Sequence, residues 1–328
     1  MSIKVLRQGL LTTIQDLGRH GFQKFGVIVG GAMDSYSLRL GNLIVDNIEN
    51  EAALEITLYG TTLQFEVETL IAITGANFLP TIDDKPAPLW SPIVVKKNSV
   101  LKFHTAVDGS RAYIAIAGGI DIPEVMGSKS TYLRANIGGF KGRALQKGDV
   151  LPLNSSKVFN SKTSKIIQKN KANWSINYSN LINFGKHQII RVTQGTEFDR
   201  FDKESKHKLL TEHFTLSLQS DRMGYRLEGS SLSLSENFEL LSEGVTFGTI
   251  QIPPSGQPII LMADRQTTGG YPKIGQVISA DLPTLAQLPP KATIQFQLVT
   301  LEEAEQAFIQ NEQKINLLKK AINYKLYS

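Results

Sequence analysis

The chain has 328 residues, of which 41% are hydrophobic and 20% charged, with a formal net charge of +5 and no cysteine. This is the composition of a folded globular protein, and the lack of cysteine excludes disulfides, thiolate metal sites and cysteine nucleophiles. The N-terminus has no long apolar segment, and no apolar run is long enough to span a bilayer. We therefore expect a soluble, cytoplasmic protein.

Most of the chain is predicted to form short β-strands. Apolar or alternating runs are separated by Gly, Pro, Asn or Asp, and they are few residues long. Such a pattern favours barrels or sandwiches over a doubly wound parallel sheet. The predicted strands are 63–67, 70–74, 94–95, 100–103, 113–117, 189–193, 215–218, 259–262 and 293–299.

Helices are predicted to be few. Asp34 is placed to cap a helix that runs to about Val45, and short helices are expected at 199–213 and 281–287. From 301 to about 324, apolar residues recur every three or four positions and form one stripe. This last helix is expected to dock on its own barrel, but the polar Asn311 interrupts the stripe, so a partner-binding helix is the alternative.

A segment at 154–186 is the best candidate for a domain boundary. It holds six lysines and no acidic residue, and it is rich in Ser and Asn. We interpret it as a solvated linker, with a phosphate-binding strip as the alternative. The prediction is an N-terminal domain at 1–153, this linker, and a C-terminal domain at 187–328.

Several common site motifs are absent from the sequence. The five histidines do not have zinc-binding spacing, and no GxSxG or GxGxxG pattern occurs. The run 127–131 (GSKST) resembles the end of a P-loop, but Ser128 separates Gly127 from Lys129 and the upstream glycine is missing. The chain alone is therefore not a recognisable nucleotide-binding protein, and it has no zinc signature.

Five segments combine glycine with hydrogen-bonding side chains, as ligand-binding loops do. They are 12–34, 111–132, 138–151, 220–227 and 242–272. In the third, Asp149 is expected to be a structural turn residue. In the fourth, Arg222 and Arg226 suit bidentate contacts to a carboxylate or phosphate, and an intramolecular ion pair that ties a hairpin is the alternative for each. In the fifth, a buried strand delivers the polar run 264–271 at its end.

These segments resemble one known family. The matching blocks are TTIQDLGRHG, GGAMD, ALEITLYG, AITGAN, RAYIAIAGGID, GSKSTY, GGFKGRAL, SDRMGYRL, SEGV, GTIQIP and GQPIILMADRQTTGGYP, followed by Ala286-Gln287, in order over about 290 residues. They are similar to the KipA family, also described as biotin-dependent carboxyltransferase-like or allophanate hydrolase subunit 2. Within it, the C component of the bacterial 5-oxoprolinase is the nearest functional class.

The resemblance implies a mainly β protein with two cyclophilin-like β-barrel domains and a few peripheral helices. It implies a KipI-like partner and a LamB/YcsF-like partner. From the residues themselves, the charge distribution and the short apolar runs predict no nucleic-acid and no membrane partner. The implied reaction is hydrolysis of the lactam of 5-oxoproline to glutamate, driven by ATP with Mg at the level of the complex. The chain is expected to bind no metal of its own and to be inactive alone.

The resemblance also directs attention to particular side chains. Asp16 and Asp264 are candidates for polarising water or holding a cation. Anion contacts are assigned to Arg19, Arg222 and Arg226, and substrate orientation to Gln266, Thr267 and Tyr271. Two other functions stay open: a regulator that antagonises a KipI-like inhibitor of a histidine kinase, and a carboxyltransferase-like subunit of a biotin-dependent, urea-type enzyme.

Overall fold

The computed structural model describes residues 1–154, 174–179, 181–236 and 240–327. The chain divides into two compact units. Unit 1 contains Met1–Arg19, Gly30–Phe184 and Gln313–Ser328, and unit 2 contains His20–Val29 and Gly185–Glu312. Two short segments are therefore exchanged relative to the continuous domains predicted from the sequence. The predicted linker falls largely on residues outside the described part, and its boundaries stay a prediction.

Unit 1 is built from two antiparallel sheets around one core. The strands are β1 Ser2–Arg7, β2 Leu11–Gln15, β3 Ala53–Thr57, β4 Thr62–Phe65, β5 Thr69–Asn77, β6 Thr81–Ile82, β7 Lys85–Pro86, β8 Pro92–Val95, β9 Val100–Lys102, β10 Asp108–Ile116 and β11 Val150–Pro152. The six-stranded sheet has the order β11-β1-β4-β9-β6-β7, and the five-stranded sheet has the order β2-β3-β10-β5-β8.

The core of unit 1 is closely packed and apolar. Residues from both sheets, such as Ile3, Phe65, Ile73 and Ile114, are fully buried in one cluster. The strand β5 is buried along nearly its whole length, as its continuous apolar run predicts. Burial of this kind is the main favourable term in folding, so the two sheets provide a rigid support for the loops at their edges.

Unit 2 contains a closed seven-stranded barrel. Its strands are β12 His187–Gln194, β13 Phe214–Leu216, β14 Gly224–Glu228, β16 Thr249–Gln251, β17 Ile259–Leu261, β19 Lys273–Val277 and β20 Thr293–Leu298. They follow the order β12-β19-β16-β17-β14-β13-β20 around the barrel. The pair β12–β20 is parallel, and every other pair in the barrel is antiparallel. A separate two-stranded ribbon pairs β15 (Glu243–Gly244) with β18 (Thr268–Gly269). The prediction of a mainly β protein is confirmed.

The helices lie where the sequence places them; the first three are shorter than predicted and the last extends a few residues further. They are α1 Ser35–Ile44, α2 Lys203–Thr211, α3 Leu282–Ala286 and α4 Leu301–Tyr327. Asp34 caps α1 as predicted, because its side chain accepts a hydrogen bond from the Ser37 backbone N–H at 2.9 Å. The second helix begins later than expected: Asp202 is its cap, and Phe198–Arg200 forms a separate 3-10 turn.

The last helix, α4, contributes residues to both units. Within unit 2, Ala307 packs against Ile278 and Ala280, and Asn311 is buried with its amide 3.5 Å from the Ala280 carbonyl. Within unit 1, Ile315 and Ile322 join the cluster of α1. Among the described residues, no helix combines the length and apolarity needed to cross a membrane.

Candidate functional site

The centre of the candidate site in unit 2 is a buried ion pair between Arg222 and Asp264. The Arg222 Nε donates to Asp264 Oδ2 at 2.9 Å, and Nη2 donates to Oδ1 at 2.8 Å. Both side chains are only 6% exposed. The backbone repeats the link, since the Asp264 N–H donates to the Arg222 carbonyl at 2.8 Å. Such a bidentate contact fixes the residues just before β14 to those just after β17.

The ion pair holds the start of the polar run 265–271, which follows Asp264 in the sequence. The Arg265 N–H donates to the Met262 carbonyl at 3.2 Å and closes a turn after β17. The next residues then return along β15: the Val245 N–H donates to the Thr267 carbonyl at 3.1 Å, and the ladder continues between β15 and β18. Gln266 is exposed and Thr267 half-buried on this ribbon. Both are therefore available to a ligand while their backbone is held in place.

The ribbon continues to a second polar group. Lys273 is buried, with Nζ 2.6 Å from Glu243 Oε2 and 3.7 Å from Glu197 Oε2. The buried Gln251 amide donates to the Tyr271 carbonyl at 3.1 Å. The backbone at Tyr271 is thus tied to the barrel while its ring is 45% exposed, as a side chain that meets a ligand should be.

Arg265 differs from the other buried cations of unit 2. Its side chain is 8% exposed, and its Nε donates to the Val245 carbonyl at 3.3 Å. No carboxylate of the described residues lies within ion-pair distance of its guanidinium. Burial, with no neighbouring anion to offset it, lowers the pKa of Arg265 to about 10.

A cavity of about 830 Å³ adjoins this end of unit 2. Tyr271 lines it, together with Gly270 and Pro272 from the same segment and with residues of 231–234 and 252–256. The other site residues predicted from the sequence are not part of its lining. Arg226 lies on β14 with an exposed side chain, so it can meet solutes at the outer surface of the barrel.

Unit 1 holds the other predicted carboxylate, Asp16, in a buried loop network. Its Oδ1 accepts from the Gly18 N–H at 2.8 Å, the Ser128 hydroxyl at 2.8 Å and the Ser130 hydroxyl at 2.5 Å. Its Oδ2 accepts from the Lys129 N–H at 2.6 Å. The GSKST run is therefore folded around Asp16. Its backbone donor at Lys129 is used inside the protein rather than for a phosphate.

Arg19 completes this network from the same loop. The side chain is fully buried; its Nε donates to the Val125 carbonyl at 2.8 Å and its Nη2 to the Ser130 carbonyl at 3.0 Å. Gly138 packs against it so closely that an added Cβ would lie 2.8 Å from Nη2. The sequence predicts that Arg19 contacts an external anion, whereas these contacts are to backbone carbonyls of the loop.

The structure thus sorts the predicted residues into two sets. In unit 2, the residues 264, 266, 267 and 271 share one segment that Arg222 anchors, and in unit 1 Asp16 and Arg19 organise one loop. Sequence reasoning missed Arg265, Lys273, Glu243 and Gln251. Arg265 stands inside the run DRQTTGGY, and its charge within a buried strand-end segment was the signal that could have identified it.

Neither set has the donors of a metal centre. Among the residues that the structure describes, no group of three or more His, Asp or Glu side chains is placed to hold a metal ion. All four carboxylate oxygens of Asp16 and Asp264 already accept hydrogen bonds within the chain. The Lys129 ammonium is also engaged, 2.8 Å from Glu51 Oε1. These residues therefore do not fit a bound nucleotide–magnesium group.

The chain is thus a mainly β protein with a closed seven-stranded barrel in unit 2, and a polar ribbon follows the buried Arg222–Asp264 pair. Comparison with known proteins makes this specific. Residues 25–298 match the family described as "Carboxyltransferase domain, subdomain A and B". The chain belongs to this family.

Two bacterial relatives match along nearly their whole length. A protein of Haemophilus influenzae, named as the C component of 5-oxoprolinase, is 40% identical over 313 residues, which is 95% of this chain and 96% of the relative. The Escherichia coli protein of the same name is 42% identical over 305 residues, 93% of this chain and 94% of the relative. A urea amidolyase of Saccharomyces cerevisiae is 34% identical over 317 residues but is covered to only 17% of its length.

A solved structure supports the same relationship. The urea amidolyase of Kluyveromyces lactis superposes with a TM-score of 0.86 at 31% identity, over 97% of this chain and 20% of that protein. The chain therefore has the fold of one region of that large enzyme.

Proposed function

We propose that the chain is one subunit of a heteromeric 5-oxoprolinase, which hydrolyses the lactam of 5-oxoproline to glutamate with ATP. The observation that carries this proposal is the end-to-end similarity, at about 40% identity, to two bacterial proteins named as the C component of that enzyme. The partners proposed are a KipI-like and a LamB/YcsF-like chain, in the cytoplasm. The chain alone is proposed to be inactive, because its own carboxylates and its GSKST loop are engaged internally.

The chemistry explains what such a subunit has to provide. An unstrained lactam is a poor electrophile, and ATP supplies the phosphoryl group that turns its oxygen into a leaving group. The polar ribbon of unit 2 suits the binding of the substrate side of this reaction, since it presents an amide, hydroxyls and an exposed tyrosine on a rigid backbone. We assign Gln266, Thr267 and Tyr271 to substrate orientation and the exposed Arg226 to an anion contact.

Asp264 and Arg222 are proposed to position this ribbon rather than to touch the reacting atoms. Both oxygens of Asp264 are bound by Arg222, so use of the carboxylate as a base would require breaking a buried ion pair. Asp16 and Arg19 are proposed to do the same for the loop at 125–131. This revises the expectation that the two aspartates polarise water or hold a cation.

The test is glutamate formation and ATP hydrolysis that depend on 5-oxoproline, measured for this chain alone, for its two partners without it, and for all three together. Glutamate formed only by the full mixture would support the proposal. Tyr271→Phe should then lower the rate of the assembled complex, whereas Tyr324→Phe, a control at an exposed position of α4, should not. A stable complex without any glutamate would contradict it.

Carboxyl transfer is the second candidate function, because the fungal relatives are urea amidolyases. It predicts transfer of labelled bicarbonate carbon in the presence of a biotinylated carrier. Transfer without glutamate formation would favour this candidate. The absence of both activities, with binding to a KipI-like chain retained, would favour the regulatory function.

A further inference from the structure

We propose that Arg265 is the oxyanion-binding residue of unit 2 and that it takes a carboxylate or a phosphate from a small ligand. The observation is an arginine residue that is more than nine-tenths buried and whose only side-chain hydrogen bond to a described residue is from Nε to the Val245 carbonyl. Its two terminal nitrogens make no contact with a described acceptor. Identification of the ligand with the substrate rests on the proposed function, but the binding site itself does not.

Two neighbours show that the absence of a partner is specific to Arg265. Arg222 is equally buried, and Asp264 satisfies it with two hydrogen bonds. Lys273 is buried and paired with Glu243 at 2.6 Å. A buried charge without a partner is costly, so proteins rarely keep one without a use. Arg265 is therefore the cation of this region whose counter-ion is not supplied by the described chain.

The backbone around Arg265 is held as a binding site requires. The Val245 carbonyl accepts a hydrogen bond from the Arg265 Nε, and the Val245 N–H donates to the Thr267 carbonyl. The Arg265 side chain and the Thr267 backbone are thus both hydrogen-bonded to the backbone of Val245. Asp264, the residue before Arg265, is held by the ion pair with Arg222. An arginine that is buried and held through its Nε loses little conformational freedom on binding an anion. Gln266 and Thr268, both exposed, are adjacent in sequence and can supply further donors.

The ligand is an oxyanion by the chemistry of the donor. The planar guanidinium presents parallel N–H groups that match the two oxygens of a carboxylate or a phosphoryl group. Two sources of this chemistry are relevant: the carboxylate of a 5-oxoproline-like acid and a phosphate. The two can be distinguished by direct titration, because one contains a lactam and the other does not.

The experiment is isothermal titration of the full chain, alone and in the assembled complex, with inorganic phosphate, with 5-oxoproline and with 2-pyrrolidinone, which is the same lactam without the carboxylate. We expect at least one of the two anions to bind and the neutral lactam not to bind. Arg265→Gln should weaken anion binding at least tenfold, and Arg265→Lys should retain part of it. Lys203→Gln, a control at an exposed position of α2 outside the site, should bind the anion as the wild type does. Competition between the two anions then identifies the source.

Thermal unfolding separates a binding role from a structural one. Without ligand, Arg265→Gln should melt at the same temperature as the wild type or higher, because an uncompensated buried charge is removed. A clear fall in melting temperature or loss of the fold in Arg265→Gln would overturn the proposal. So would anion binding that is unchanged in Arg265→Gln, or no anion binding by the wild type in either state. None of these results depends on turnover, so the proposed function can fail while this inference stands.

Discussion

Removal of one partner of the Arg222–Asp264 pair should destabilise unit 2 far more than removal of both. Asp264→Asn keeps the shape but leaves a cation with 6% exposure without its carboxylate. Breaking a buried pair in this way costs about 3–5 kcal/mol, whereas replacing both partners by apolar residues of similar volume is often neutral. We therefore expect a loss of about 3–5 kcal/mol in Asp264→Asn and a much smaller one in Arg222→Met with Asp264→Leu.

Hydrogen exchange is the assay of choice. Both tryptophans, Trp90 and Trp174, belong to unit 1, so tryptophan fluorescence does not report directly on the barrel. The amides of Tyr225 and Ile260, which face each other across β14 and β17, do. A loss of stability of less than about 1 kcal/mol in Asp264→Asn would refute the reasoning. So would a double variant whose loss of stability equals the sum of the losses in Arg222→Met and Asp264→Leu measured singly. Arg226→Met, at an exposed position, should change stability by no more than about 0.5 kcal/mol.

Three further predictions concern unit 1. Asp16→Asn should lower its stability by about 2–3 kcal/mol, because charge-assisted hydrogen bonds hold the 125–131 loop; an unchanged urea midpoint by tryptophan fluorescence would contradict this. Gly138→Ala should cost clearly more than Gly127→Ala, for which about 1 kcal/mol is expected. Both have positive φ, but an added Cβ meets the Ser130 carbonyl at 2.1 Å at 138 and nothing within 4 Å at 127; equal melting temperatures would refute the steric argument. The Arg143 hydrogen bond lowers the pKa of Asp149, so its stabilisation is present above about pH 4 and lost below it. Melting curves of wild type and Asp149→Asn should therefore converge as the pH falls below about 4, and a constant difference would be evidence against the pair.

The strands and caps could be predicted from the sequence because they depend on local patterns. The alternation of β12 and the apolar run of β5 appear in the chain as they do in the sheets. The Asp34 cap could be predicted because its hydrogen bond reaches only three residues along the chain. The pattern misplaces the start of α2 by a few residues for a local reason as well, since Asp199 and Asp202 are both suitable caps and only the 3-10 turn at Phe198–Arg200 decides between them.

The site contacts could not be predicted because they join distant residues. Arg222 and Asp264 are 42 positions apart, and Asp16 and Ser130 are 114 apart. Which arginine meets which carboxylate depends on the register of β14 against β17, and local sequence does not specify that register. Residue type alone gives the same expectation, an anion contact, for Arg19, Arg222 and Arg226. The fold gives each of them a different surrounding.

The adjacent residues Asp264 and Arg265 explain how unit 2 can keep an unpaired buried cation. Local strain or charge at a site is tolerated when the surrounding structure fixes it independently. Here the backbone of 262–264 is hydrogen-bonded to the backbone of 222–223, and the Arg222–Asp264 ion pair joins the same two segments through their side chains. The turn after β17 therefore keeps its shape whether or not Arg265 finds a counter-ion. If that is so, weakening the clamp with Asp264→Asn should reduce anion binding at Arg265 even though Asp264 touches no ligand, and this reduction should exceed that in the exposed variant Gln266→Ala.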